Sequence, residues 1–423
     1  MKQFILSISI LLTAITVNGQ ALTLTLEQYR QKVLEYNQDV KQSREAVKAA
    51  VSALKAIKTG FFPKVQIGGD YSYQFEDVEF MQGIDMKHNN YSATATASQN
   101  IYSGSGVKKQ RDAARLQEAI ARLSEDLTRD NIVYAADLSY WSVAANETLY
   151  LISEEFVLIV RELYDIVNKR FDEGAISKTD VLMVKTRLKE AELQLSTAGM
   201  NFKTAMQSLK IMMGVTLEET VVVIDSIQKP MVVPALQPVE TALKRRPDFL
   251  IAMENLNLAK QQTKIVRAKY LPQFSIGLKE AWGTPMINVD GKERFTTVAF
   301  AKLSMPVFNW GEKRHYVQQN RAMEVYKELE ISKVEDQIKE ELANAWVKLN
   351  ESAKRVEIAQ STLDISRENL MLNTFSYNEG KLPILDVLSS QATWLQAYTS
   401  VVSANYQYKV ALAEYVKILG GFE

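Results

Sequence analysis

The chain of 423 residues contains no cysteine and only two histidines, His88 and His315. These absences exclude disulfides, thiolate metal sites, a cysteine nucleophile and a lipidated N-terminal cysteine, and they argue against a histidine-based metal centre or catalytic triad. The chain also has no excess of positive or negative charge, because 50 lysines and arginines balance 50 aspartates and glutamates. A chain without net charge is a poor candidate for sequence-independent nucleic-acid binding, which requires a basic surface. We therefore expect no catalytic residue, no metal, no other cofactor and no nucleic-acid partner.

Long hydrophobic runs are rare. The mean hydropathy is −0.15, and no internal apolar run approaches the roughly 20 residues of a membrane-spanning helix, which excludes a polytopic helical membrane protein. One apolar segment, 4–17, follows Lys2 and precedes the small residue Gly19. This pattern predicts a secretory signal peptide over residues 1–19, with a buried N-terminal helix as the alternative.

An internal duplication organises the rest of the chain. Gly174 and the run Asp180-Val181-Leu182 recur as Gly380 and Asp386-Val387-Leu388, 206 residues later (174 to 380). Further anchors recur at separations of 209 (Pro63 to Pro272) and 205 (Gly106 to Gly311). The matched residues occur in the same order in both halves, and their separations differ by only a few residues, which indicates a tandem repeat. We place the first repeat at 20–214 and the second at 239–423. The linker 215–238 contains three prolines, and residues 221–224 in it predict a short strand.

Scarce glycine and proline predict very long helices. Residues 107–173 and 312–379 contain neither, so each could form a helix of roughly 100 Å, typical of a coiled coil or helical barrel. Shorter helices are predicted at 26–59 and 177–213, and again at 239–269 and 384–419. Gly174 and Gly380 are predicted to adopt positive φ in the turns between antiparallel helices.

Four strands are predicted, at about 65–75, 91–101, 273–282 and 296–307. Apolar and polar residues alternate in the first three, whereas Val298 and Phe300 fall on the face of the fourth where polar residues are expected. The alternation fits a transmembrane β-barrel, and also an antiparallel sheet with one face on a soluble core. Segments 76–90 and 283–295 are predicted to be outward loops.

Four strands per chain are too few for a membrane barrel. Bacterial barrels begin at about eight strands, and open sheet edges cannot face lipid because their backbone groups would be unpaired. Two chains would give eight strands, an interior that side chains nearly fill, whereas three would give twelve and an open lumen. If the strands lie in a membrane, we therefore expect a pore-forming oligomer, preferably a trimer.

Several motifs together resemble one family. They are Arg246-Pro247-Asp248 opening a helix, Tyr270-Leu271-Pro272 closing it, residues 306–311 at a strand-to-helix junction, and the twin turns around Gly174 and Gly380. In this order they resemble the outer membrane efflux proteins, the TolC-like outer membrane factors. The resemblance implies a mainly α fold with a transmembrane β part, which as a homotrimer forms a 12-stranded outer-membrane β-barrel continued by a long periplasmic α-helical barrel.

The same resemblance implies a function. The chain would be a passive exit duct of a tripartite efflux pump for small molecules or drugs, located in the outer membrane of a Gram-negative bacterium and reaching into the periplasm. Its partners would be a periplasmic adaptor (membrane fusion) protein, an inner-membrane efflux transporter and outer-membrane lipid. One alternative is the outlet of a type I protein secretion system. A second alternative, of another class, is a soluble periplasmic coiled-coil scaffold.

Two acidic residues are candidates for the periplasmic gate. In a threefold tube, Asp386 and Asp180 would each supply a ring of three carboxylates that attracts cations. The resemblance places Asp386 at the constriction and Asp180 in the network that holds it shut. Both also lie in a first helical turn, where an acid complements the helix dipole by ~0.3–1 kcal/mol. Ser389 stands where the resemblance implies a second acidic residue. Lys381 is a candidate for the cation that the resemblance implies near these acids.

Two further sets of residues complete the predicted site. The resemblance implies that the helix tips dock to the adaptor, which assigns that role to Phe171, Gly174, Tyr377 and Gly380. Junctions between strands and helices, or between helices, are assigned to Pro63, Pro272, Gly106, Gly311, Arg246, Pro247 and Asp248.

Overall fold

The computed structural model describes residues 22–228, 232–285 and 287–421. The predicted signal peptide, 1–19, lies outside the described residues. The first half comprises β1 (Leu22–Leu24), α1 (Leu26–Tyr36), α2 (Gln38–Lys58), β2 (Lys64–Tyr73), β3 (Glu79–Met81), β4 (Ile84–Asp85), β5 (Asn89–Ser103), α3 (Gly106–Asp172) and α4 (Lys178–Met212). After β6 (Val221–Val223), the second half comprises α5 (Val239–Arg245), α6 (Pro247–Ala268), β7 (Gln273–Gly283), β8 (Arg294–Ser304), α7 (Glu312–Asn378) and α8 (Ile384–Ile418).

Two helices of 67 residues, α3 and α7, run through the molecule. Each is roughly 100 Å long, as their composition predicts. Near the turns the lateral order of helices is α4–α3–α8–α7, and near the sheet it is α2–α3–α6–α7. Buried residues of α7 at steps of three and four, such as Leu342, Ala345 and Leu349, pack on Tyr408 and Tyr415 of α8. This spacing keeps one stripe of the helix facing its neighbour.

The helices predicted over 26–59 and 239–269 are each interrupted once. The second interruption lies at Arg246-Pro247-Asp248, the motif predicted to open a helix, and α6 does begin there. Asn37 is extended (φ −55°, ψ 133°), and its side chain accepts hydrogen bonds from Asp39 N at 2.8 Å and Val40 N at 3.2 Å, which caps α2. In the second half, Pro247 takes the first position of α6 and Arg246 is extended (ψ 120°). Proline disfavours a helical conformation at the residue before it. The two breaks are 209 residues apart (37 to 246), so they occupy equivalent places in the repeats.

The strands form one antiparallel sheet of order β2–β5–β7–β8. Its registers place Val65 opposite Ala97, Ala97 opposite Leu278, and Leu278 opposite Ala299. Paired residues point to the same face, so the registers collect most apolar positions on one face and most polar positions on the other. Glu280, opposite Ala95, and its cross-strand partner Thr297 form a hydrogen bond of 2.8 Å and are polar exceptions on the apolar face. The predicted alternation is thereby confirmed.

The irregular strand, β8, is explained by its partner. Val298 and Phe300 lie on the polar face, opposite Lys279 and Gly277. A Cβ atom on Gly277 would lie 2.5 Å from the Phe300 ring. The ring therefore occupies the space that a side chain at 277 would fill, and an apolar residue is accommodated on a polar face.

Both faces of this sheet are exposed in the single chain. Every residue of β2 is exposed, including Val65 at 70% and Ile67 at 86% on the apolar face. A sheet resting on a soluble core would bury one face. Strands β2 and β8 form its two edges, so one chain presents an apolar face, a polar face and two rows of edge backbone groups.

The largest core lies between sheet and turns, where β1 pairs in parallel with β6, the strand predicted in the linker. Tyr140 donates its hydroxyl proton to Asp225 Oδ2 (2.9 Å), which also accepts the N–H of Leu26 at 2.9 Å. Beside it, Arg30 forms two hydrogen bonds of 2.6 Å with the buried Asp137 carboxylate. The linker is thus fixed to the first helix and to α3.

Among the residues that the structure describes, none of the helices combines the length and hydrophobicity that crossing a membrane would need.

Candidate functional site

The turns joining α3 to α4 and α7 to α8 have the same geometry. Gly174 and Gly380 adopt φ of 75° and 72°. Their N–H groups donate to Phe171 O and Tyr377 O, both at 2.9 Å. A Cβ at either glycine would meet nothing within 4 Å, so the backbone conformation alone requires glycine. The predicted positive φ is confirmed at both positions.

The two turns lie side by side at one end of the chain. A cluster of buried side chains from all four helices joins them: Leu163, Val167, Val181, Val184, Tyr377, Ile384 and Val387. The duplicated turns, more than 200 residues apart in sequence, therefore form one structural unit, called the tip below.

Arg170, the residue before Phe171, connects the two halves of the tip. Its guanidinium carbon lies 4.9 Å from the centre of the Tyr377 ring, and its Nη atoms donate to Tyr377 O at 3.3 Å and Asn378 O at 3.1 Å. These carbonyls belong to the last turn of α7, where helix carbonyls lack intrahelical partners and the helix dipole favours a cation. No role was predicted for Arg170 from the sequence, because its contacts with Tyr377 and Asn378 join residues of different repeats.

Tyr377 is an interior residue of the tip, with a 5% exposed side chain. Burial raises the pKa of its hydroxyl, Arg170 opposes the shift, and Asp180 adds to it. Among the described residues the buried Tyr377 oxygen has no hydrogen-bond partner. Phe171, by contrast, is 38% exposed, and Gly174 and Gly380 are exposed at the turn surface. Of the predicted docking residues, Tyr377 can thus act only from beneath the surface.

The two candidate gate acids have different surroundings. Asp180 belongs to a capping box: its carboxylate accepts from the N–H and hydroxyl of Ser177 at 3.2 and 3.0 Å. Asp386 lies in the first turn of α8 and is half-buried, and within the described ranges its carboxylate accepts no hydrogen bond. Lys381 and Ser389 are exposed nearby. Asp386 thus keeps a charge free to face another copy or an ion.

The junction residues lie where secondary structures meet. Pro63 and Pro272 immediately precede β2 and β7, while Gly106 begins α3 and Gly311 (φ 81°) caps α7. Arg246 binds Asp248 through two hydrogen bonds of 3.0 and 2.6 Å, and Glu341 of α7 at 2.5 Å. This three-residue network holds the break between α5 and α6 against α7.

Chemistry at metal ions is not indicated by the side-chain arrangement. Over the ranges 22–228, 232–285 and 287–421, no group of three or more histidine, aspartate or glutamate side chains is placed to hold an ion.

Comparison with known proteins follows the duplication. The family model described as Outer membrane efflux protein matches residues 29–215 and 239–421. Each match covers one repeat and leaves out the linker between them.

Individual relatives are distant in sequence but alike in fold. The chain is 20% identical to the probable efflux pump outer membrane protein TtgC of Pseudomonas putida, over 66% of the chain and 56% of TtgC. It is 23% identical to the alkaline protease secretion protein AprF of Pseudomonas aeruginosa, over 60% of the chain and 54% of AprF. It thus spans little more than half the length of these two relatives. The outer membrane channel CmeC of Campylobacter jejuni superposes with a TM-score of 0.80 at 18% identity, covering 94% of the chain and 86% of CmeC.

Proposed function

The chain belongs to the outer membrane efflux protein family, and on this premise we propose that three copies form a channel-tunnel that is the passive exit duct of a tripartite efflux pump. The observation that carries the proposal is the four-stranded sheet with two exposed faces and two edge strands. It is continued by helices of roughly 100 Å.

The sheet is suited to a wall between lipid and water. Its apolar face carries aliphatic residues at mid-strand, apart from the hydrogen-bonded pair Glu280 and Thr297. At the loop end the face carries aromatic residues, where the rings of Tyr91 and Trp282 lie 6.0 Å apart. Aromatic girdles flank the apolar band of outer-membrane barrels. The polar face, with Ser92, Thr94 and Thr96, would line a wet lumen. Joining β8 of one copy to β2 of the next would pair every edge, and three copies would supply twelve strands.

The helices offer a matching seam. Near the tip, α4 and α7 are the edges of the helical layer, and both expose apolar residues. Leu182, Leu193 and Met200 lie 4, 15 and 22 residues after the start of α4 at Lys178. Leu372, Ile365 and Ile358 lie 6, 13 and 20 residues before the end of α7 at Asn378. Along the helix axes, each residue of α4 lies within about 3 Å of the height of its counterpart on α7. If α4 of one copy packs on α7 of the next, three pairs of apolar side chains would therefore be buried.

In such a trimer the tips would close the periplasmic end. Asp386 would form a ring of three carboxylates, Asp180 and Tyr377 would belong to the network that holds the ring in place, and the surface around Phe171 would meet the adaptor. Specificity for cargo would then reside in the adaptor and the inner-membrane transporter.

A second function rests on one specific similarity. AprF carries protein secretion in its name, and an outlet for a type I secretion system would use the same architecture. Removing the gene from its host separates the two functions. We expect several-fold higher intracellular accumulation of a fluorescent efflux substrate, unchanged secreted proteins, and rescue by the wild-type gene. Unchanged accumulation with loss of a secreted protein would favour the secretion outlet. Release from membranes by alkaline carbonate would contradict both functions.

A further inference from the structure

A groove of about 770 Å³ lies at the sheet end of the helices. Arg267 and Leu271 line it from the end of α6, and Lys313, Arg314, Val317 and Arg321 line it from the first turns of α7. Four of these residues are cations: Arg267, Lys313, Arg314 and Arg321. No carboxylate lines the groove, and no ion pair with any of the four cations is found among the described residues. Four like charges around one cavity raise its electrostatic potential unless an anion enters it.

The geometry of α7 directs its three cations, Lys313, Arg314 and Arg321, toward the sheet. Helical side chains lean toward the N-terminus of their own helix, which for α7 is the end next to β8. Lys313 and Arg314 lie in its first turn, and Arg321 lies about 12 Å further along. The positive end of the α7 dipole adds to the potential, whereas the negative end of the α6 dipole, next to Arg267, opposes it. The groove therefore concentrates positive charge immediately below the sheet.

The equivalent place in the first repeat is different. The repeat separations align Val317 with Asp112 (205 residues) and Arg321 with Leu116. Asp112 is paired with Arg111 at 2.7 Å, and Lys109 Nζ donates to Gly104 O at 3.1 Å. At this level of the first repeat one arginine is thus paired with a carboxylate and one lysine is hydrogen-bonded to a carbonyl, whereas no ion pair with the four cations of the groove is found in the described part of the second repeat.

Exposed apolar residues border the groove on the sheet side. Val307, Phe308 and Trp310 are 84%, 71% and 89% exposed, and Gly311, the next residue, lines the groove. Aromatic residues next to basic ones, at the end of an apolar strand face, are typical of the boundary between hydrocarbon and headgroups.

A second copy of the chain is a poor occupant of this groove. If β8 pairs with β2 of the next copy, that copy's α2 lies beside α7. The last eleven residues of α2, 48–58, contain Lys48, Lys55 and Lys58 and no acid. The neighbouring copy would therefore add positive charge at this level.

We propose that the groove binds the phosphate of an anionic phospholipid in the leaflet that meets the helix end of the sheet. Its arginine side chains would donate paired hydrogen bonds to the phosphate oxygens, and Leu271 and Val317 with the exposed aromatics would contact the glycerol and acyl chains. The proposal rests on the proposed function, because it requires the sheet to lie in a membrane.

Native mass spectrometry of the detergent-purified oligomer, titrated with phosphatidylglycerol, tests this site. Two double variants, Lys313→Gln/Arg314→Gln and Arg267→Gln/Arg321→Gln, each remove two cations. Each cation contributes about 1 kcal/mol to the attraction of an anionic lipid, and 1.4 kcal/mol corresponds to about a tenfold change in affinity. Each double variant should therefore bind the lipid roughly 30-fold more weakly than the wild type. The matched control is Lys108→Gln/Lys109→Gln, which removes two charges at the aligned positions of the first repeat and should bind like the wild type. Phosphatidylcholine and inorganic phosphate are the comparison ligands.

Several results would overturn the lipid site. Equal binding of phosphatidylcholine would remove the role of charge, and saturation by inorganic phosphate would point to a soluble anion. Equal loss in the control would indicate general attraction of the basic surface. A wild type that needs detergent for extraction but retains no anionic lipid would refute this site alone, whereas a carbonate-soluble protein would refute the proposed function as well.

Discussion

The guanidinium carbon of Arg170 lies 4.9 Å from the ring centre of Tyr377, which binds the end of α3 to the end of α7. The same guanidinium group donates to two carbonyls of the last turn of α7. The duplicated hairpins of one chain are thereby held as a single tip. Three such tips would surround the periplasmic end of the tunnel, so contacts inside each tip bear on how firmly that end closes.

Arg170→Gln should loosen the tip. Each hydrogen bond from a charged donor contributes about 1.5–3 kcal/mol to stability. The substitution also removes the contact between the guanidinium group and the Tyr377 ring. We expect a higher basal single-channel conductance in planar bilayers and an unchanged oligomer on gels. Arg170→Lys, which keeps the charge but not the planar fork, should lie between this variant and the wild type. Wild-type conductance in both variants would show that the bridge has no part in closure.

Asp386→Asn should raise basal conductance and lower stability by no more than the ~0.3–1 kcal/mol of its interaction with the helix dipole, because this carboxylate accepts no hydrogen bond within the described part of the chain. Asp180→Asn is the informative comparison, since it also weakens the capping box with Ser177 and should cost about 1 kcal/mol. Single-channel recording gives the conductance and ion selectivity, and thermal unfolding gives the stability. An Asp386→Asn channel with wild-type conductance and selectivity would remove the gate assignment and leave the fold intact.

Phe171→Glu should impair drug export at a normal abundance of oligomer, because it places a charge on the exposed tip surface proposed to meet the adaptor. The buried Tyr377 is unsuitable for this test, since a charge there would disrupt the tip itself. Phe171→Tyr keeps the ring and serves as the control. Drug susceptibility of a complemented deletion strain is the measurement, and full complementation by Phe171→Glu would exclude this surface from docking.

The buried pair Arg30–Asp137 should make stability depend on pH. Burial raises the pKa of the Asp137 carboxyl above its ordinary 3.8, although Arg30 opposes the shift. The folded chain then holds this proton more tightly than the unfolded chain, so the contribution to stability is present at low pH and is lost as pH rises through the raised pKa.

Arg30→Met removes the opposing charge, so the pKa of Asp137 should rise further. This variant should unfold at a lower temperature at pH 7 than at pH 5, with a loss of about 3 kcal/mol at pH 7. The double variant Arg30→Met/Asp137→Leu buries no charge and should recover most of that loss at both pH values. A single variant that is as stable at pH 7 as at pH 5 would contradict this account.

The long helices and the strand faces could be predicted because both follow from local patterns. Long runs without glycine or proline allow only helix at this length, and alternation fixes which residues share a face. The break at Asn37 was missed because the helical pattern continues across it, although the capping potential of Asn37 was an available signal. The start of a helix at Arg246-Pro247-Asp248 was predicted from the motif and is confirmed. Phe300 could not be assigned, since the glycine that accommodates it is on another strand and only the register brings them together.

The site was predicted in part. The turn glycines and the first-turn position of both acids follow from the repeats alone, and the structure confirms them. Burial of Tyr377 and the bridge from Arg170 depend on contacts between residues about 207 positions apart, which no local pattern encodes. The gate and docking roles of these residues stay predictions.

The edges of the sheet allow the most direct test. The chain has no cysteine of its own, so Ile67→Cys on β2 can be combined with Ala299→Cys, Ala301→Cys or Leu303→Cys on the same face of β8. Within one open sheet these edges are about 14 Å apart, too far for a disulfide. Ile67→Cys with Leu278→Cys on the inner strand β7 is the control. Non-reducing gels of oxidised membranes should show covalent trimers for at least one edge pair and monomers for the control. Monomers for every edge pair, or a disulfide that joins β2 to β8 within one chain, would contradict a barrel shared among copies.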